Sequence, residues 1–94
     1  MLSQLPIDLK KVSNGQIDME ILRLGMIAEL DAVSLYEQLA AMANDKDIKI
    51  MLLDIAKEEK THMGEFQALL LQRDKQQVTE LEKGKEEVAK ELKK

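Results

Sequence analysis

The sequence predicts an all-α fold: an antiparallel two-helix hairpin plus a short C-terminal helix, with two copies dimerising into a four-helix bundle. Three observations carry this. Apolar residues recur at alternating three- and four-residue steps in two long runs, the spacing of one face of a helix. One polar break, Asn44-Asp45-Lys46-Asp47, separates the runs. Hydrophobic residues are 45% of the 94 but aromatics only 2%, so packing falls to Leu, Ile, Val, Ala and Met, as in helical bundles.

Residues 1–13 carry Leu2, Leu5, Ile7 and Leu9, with Pro6 preventing a continuous helix, and read as an extended N-terminal arm packed on the hairpin or on a neighbour. The first helix is expected over 14–43. Ser13 with Gln16 has the spacing of a capping box, and Asp18 is the competing cap. Asn44 or Asp45 should cap the second helix, expected over 45–72. Asp74 with Gln77 then caps a third, over 74–92, which carries Val78, Leu81, Val88 and Leu92 and is divided by Gly84. Its Glu- and Lys-rich end reads as a solvated tail.

Composition excludes several functions. A net charge of −4 does not suit a nucleic-acid binder, which needs a basic face. With no cysteine there is no disulfide, thiolate zinc site or iron–sulfur cluster, a state compatible with a reducing cytosol. No apolar run is long enough for a membrane span and no signal peptide is visible, so a soluble cytoplasmic protein is expected.

The chemistry lies in what interrupts the apolar seams. In the second helix the seam runs Ile48, Leu52, Ile55, Glu59, His62, Phe66, Leu69, broadened by Leu53, Ala56, Met63 and Leu70, with Glu59 and His62 where a buried helix should carry Leu. Glu59-Lys60-Thr61-His62 places a carboxylate and an imidazole on one side of the helix, at a metal-ligand spacing. In the first helix the seam is Met19, Leu22, Met26, Glu29, Val33, Tyr36, Ala40, Ala43, and Glu29 again holds a core position. Neither seam offers a Lys or Arg, and a buried carboxylate is costly unless it is paired, protonated or bound to a cation. Glu29 and Glu59 are equally far from residue 44, so a hairpin turning there sets Glu29, Glu59 and His62 at one level.

One such hairpin carries half a site. Dinuclear carboxylate centres in four-helix bundles take a Glu from each of two helices and a Glu-x-x-His from each of the other two. A second apolar stripe on the first helix, Ile21, Leu24, Ala28, Leu35, Leu39 and Met42, also calls for a second copy. A two-fold dimer would supply four carboxylates and two imidazoles, enough to balance and hold two divalent ions. Oxygen ligands with imidazole favour iron, manganese or zinc, and redox-active iron is the usual occupant of such a bridge.

Tyr36, two turns after Glu29 on the same face, is a candidate to hydrogen-bond a ligand carboxylate, or an ordinary core tyrosine. Asp31 and Glu58 point off the seam and read as surface charges, or else as residues lining a metal entry path. His62 is the single histidine; its level with Glu29 and Glu59 makes it a ligand rather than a core residue.

These residues resemble a known family. Met19 to Leu24, Ala28 to Ala32, Leu35 to Gln38, Leu52 to His62, Gly64 to Leu71 and Gln77 to Leu81 are similar to the encapsulated ferritin-like proteins, above all the ferritin-like domain fused to some archaeal encapsulin shell proteins. More distantly they look like half of a rubrerythrin or ferritin bundle. The resemblance implies a ferroxidase that oxidises Fe(II) to Fe(III) at a di-iron site between two subunits, with Glu29, Glu59 and His62 as ligands and Tyr36 lining the site. It also implies dimers assembled into a ring, commonly a decamer, that passes iron to mineral stored inside an encapsulin compartment. Where some members carry a further acidic residue and a Trp near the site, this chain has Ala28 and Leu35, which argues against a secondary entry site. No shell-targeting peptide is evident at the charged C-terminus, as expected for the N-terminal domain of a shell fusion or for a different mode of docking.

Two other readings fit the same residues. A rubrerythrin-like peroxidase would need a separate electron donor, because the chain has no cysteines for a rubredoxin-type domain. A non-catalytic helical dimerisation module would use its seam polar residues only to set register.

Overall fold

The computed structural model describes residues 8–11 and 13–94. Among them are three α-helices and no strand: α1 (Ile17–Met42), α2 (Lys46–Leu71) and α3 (Lys75–Leu92). Most of the expected N-terminal arm lies outside the described residues. Its described part includes a short 3-10 turn, Leu9–Lys11, where an extended segment was expected.

The helix starts follow local chemistry. Asp45 caps α2, its carboxylate accepting from the Ile48 N–H at 3.0 Å. Asp74 caps α3 in the same way through the Gln77 N–H, also at 3.0 Å. The capping expected at α1 is not found: residues 14–16 form a turn, and Gln16 stands at the cap without a side-chain bond. Gly84 does not divide α3, which runs unbroken through it, since one glycine costs a helix only about 1 kcal/mol.

α1 and α2 pack against each other along the hairpin, whereas α3 meets α2 at few points. Arg23 on α1 reaches across to the α3 cap, with Nη2 3.3 Å from Asp74 Oδ2. The core consists of Leu22, Val33 and Ala40 from α1 and Ala56 and Leu70 from α2. Every residue of the α1 seam is buried or half-buried, as its periodicity requires.

The inward side of α2 combines part of the expected seam with the stripe that broadens it. Leu52, Ile55, Glu59 and Phe66 are half-buried and Ala56, Met63 and Leu70 beside them are buried or half-buried, while Ile48, His62 and Leu69 lie exposed. Both lines are largely apolar, so spacing alone did not separate them. An α-helix also drifts by about 20° per heptad relative to a strict seven-residue repeat. His62 is therefore not a core residue of the single chain; it stands at the edge of the inter-helix contact.

Candidate metal centre

Glu29 projects from the middle of α1, and Glu59 and His62 from successive turns of α2. Helical geometry alone brings Glu59 and His62 together. Packing of the hairpin adds Glu29: ligand atoms of all three residues lie within 4.8 Å of one another. His62 Nδ1 is 3.5 Å from Glu59 Oε2 and 3.7 Å from Glu29 Oε2. The two helices end and begin symmetrically about residue 44, and the three groups meet at one level.

The two carboxylates are largely withdrawn from water, each side chain 19% exposed, while that of His62 is 46% exposed. Glu29 Oε2 is buried and has no hydrogen-bond partner. No Lys or Arg forms an ion pair with Glu29 or Glu59 among the described residues, and only the His62 ring stands near both. An unsatisfied carboxylate oxygen in such a place is strongly unfavourable on its own. A cation bound by both carboxylates and by an imidazole nitrogen satisfies it, and an oxygen-rich donor set with one nitrogen suits a divalent first-row metal. The residues present fit a metal.

Beside the ligands lies an open groove of about 340 Å³ lined by Glu29, His62, Glu65, Phe66 and Leu69. Sequence reading had not singled out Glu65 as a site residue; the available signal is its position one turn beyond His62. Tyr36 is half-buried two turns along α1 and is not among the groove-lining residues. Glu58 is exposed and Asp31 half-buried, and neither belongs to the ligand cluster. A separate hollow of about 310 Å³ among the three helices is lined mainly by Met26, Ile27, Leu30, Leu70 and Leu81 and holds no carboxylate. No helix among the described residues is long and apolar enough to cross a membrane.

Comparison with known proteins bears on this arrangement. A family model described as Rubrerythrin matches residues 20–94. The chain is 62% identical over 70 residues to the ferritin-like-encapsulin shell fusion protein of Pyrococcus furiosus, a match covering 74% of this chain and 20% of that one. It thus spans about a fifth of that relative's length. The crystal structure of the encapsulated ferritin domain from Pyrococcus furiosus matches with a TM-score of 0.81 at 52% identity, covering 96% of this chain and 94% of that one.

Proposed function

Because this chain belongs to the rubrerythrin family of ferritin-like proteins, we propose that it is a ferroxidase acting on Fe(II) held between two copies of the hairpin. The observation that carries the reading is the buried, unpartnered Glu29 Oε2 within reach of Glu59 and His62.

The ligand set of one chain is incomplete for a dinuclear centre, and the exposed edge of His62 is where a second copy would complete it. The surface supports that pairing. Its accessible area is 7498 Å², against about 5,500 Å² for a compact monomer of this mass. Much of the excess is apolar: Ile21, Leu30, Met42, Ile48 and Met51 are between 45% and 76% exposed. Dimerisation would bury such residues and give the four-helix bundle.

In this reading iron is the substrate. Two Fe(II) ions each give up one electron, and dioxygen, taking both electrons and two protons, leaves as hydrogen peroxide. Glu29, Glu59 and His62 of each copy bind the ions, and the four carboxylates favour the more highly charged product through its electrostatic attraction. Tyr36 is assigned a supporting role, as a hydroxyl able to turn toward a ligand carboxylate. The dimers would assemble into a ring, a decamer by the resemblance, inside an encapsulin compartment of the cytoplasm that stores the oxidised iron.

Aerobic oxidation of added Fe(II), followed by absorbance, tests the assignment against Glu29→Ala and His62→Ala. Both variants should lose the activity. Equal rates in all three proteins would leave only a dimerisation module. Replacing dioxygen with hydrogen peroxide separates a rubrerythrin-like peroxidase, which would consume peroxide faster than dioxygen.

A further inference from the structure

Gly25 lies inside α1, one turn before Glu29, at a place where glycine costs a helix about 1 kcal/mol relative to alanine. A mid-helix glycine calls for a packing reason, and Gly25 has one. A Cβ built there would stand 2.8 Å from Cδ1 and Cε1 of Phe66 and 2.9 Å from Cζ. The edge of the ring rests against bare backbone. Gly64 and Gly84, the other helical glycines, have nothing within 4 Å of the same position.

Phe66 is one turn beyond His62 on α2. In the antiparallel ladder the Gly25–Phe66 contact is thus the layer next to the Glu29–His62 pair, and the ring also forms part of the groove beside those ligands. Resting on the metal-centre reading above, we infer that Gly25 and Phe66 are its positioning contact: close approach of ring and backbone sets the separation of α1 and α2 that lets a carboxylate from one helix and an imidazole from the other share an ion.

The distances support this. Carbon atoms in ordinary contact are about 3.5–4.0 Å apart, so a methyl group at residue 25 would have to be relieved by a movement of roughly 0.7 Å or more. A metal or catalytic constellation tolerates only about 0.5 Å. Spreading the helices draws Glu29 from His62, and displacing the ring reshapes the groove that it lines together with both ligands.

The test uses Co(II) as probe, through its affinity and its visible d–d spectrum, on wild type, Gly25→Ala, Phe66→Leu and the double variant. Each single variant should bind about 10- to 100-fold more weakly, with an altered spectrum at unchanged far-UV helicity. The double variant, in which the new methyl meets a flexible aliphatic side chain in place of the rigid ring, should bind more tightly than the product of the two losses. Wild-type affinity and spectrum in either single variant overturn the inference, as do independent effects in the double variant. If Gly25→Ala does not fold, Phe66→Leu decides alone: unchanged binding and spectrum overturn the inference, and weaker binding with an altered spectrum supports it. If wild type does not bind Co(II), or binds it equally well after Glu29→Ala, the metal centre itself is wrong and this inference falls with it.

Discussion

His62 Nδ1 faces Glu29 Oε2 across the two helices at 3.7 Å, too long for a hydrogen bond and suited to an ion between them. Packing places the pair in contact, and nothing among the described residues satisfies the buried oxygen. If metal and a second copy complete the site together, binding and association are linked. Treating the protein with EDTA should convert dimers to monomers, and stoichiometric Fe(II) or Co(II) should restore them. Sedimentation velocity measures this; a dimer fraction indifferent to metal would argue that association is driven by the apolar face alone.

Glu29→Gln keeps the size of the side chain and removes its charge. Without metal it relieves repulsion from Glu59 within the cluster, so the apo protein should gain about 1 kcal/mol, the lower end for like charges at this separation. Metal affinity should fall at least tenfold. A melting curve in EDTA and a Co(II) titration read the two effects, which have opposite signs; a loss of apo stability would contradict the electrostatic account.

Leu70 is 3% exposed and belongs to the core line of α2. Its replacement by alanine should cost about 2–5 kcal/mol, combining lost burial with the cavity left behind. Urea denaturation measures the change. Leu69→Ala, one residue away and 42% exposed, should cost less in the monomer, and the difference between the two tests which side of α2 faces α1.

Asp74 both caps α3 and accepts from Arg23 Nη2. Alanine there should remove about 1 kcal/mol through the cap and loosen α3 from α1, while the ligand cluster in the hairpin stays intact. Hydrogen exchange should quicken in the first turn of α3. Equal protection in the variant would show that the cap and ion pair do not hold this end.

The hairpin was legible in the sequence because helical periodicity is local. Met19 through Ala43 repeats at three- and four-residue steps, and all of these positions are buried or half-buried. The caps at Asp45 and Asp74 were equally readable, since each requires one short polar side chain reaching an N–H three residues ahead. The cap of α1 was less so: Ser13 and Asp18 both carried the signal, yet the helix begins at Ile17 without using either. The candidate ligands were recognised as carboxylates and an imidazole in apolar seams, an anomaly that sequence position alone exposes.

By itself, then, the sequence determined which segments are helical, where two of them are capped, and that Glu29, Glu59 and His62 interrupt otherwise apolar faces. Tertiary structure alone decided that Ile48, His62 and Leu69 lie exposed, with His62 at the edge of the inter-helix contact, and that ligand atoms of Glu29, Glu59 and His62 come within 4.8 Å of one another. It alone revealed why residue 25 is glycine. The physical reason is that hydrogen bonding within a helix depends on neighbours in the chain, whereas the rotation and level of one helix against another depend on how side chains from distant positions fit together.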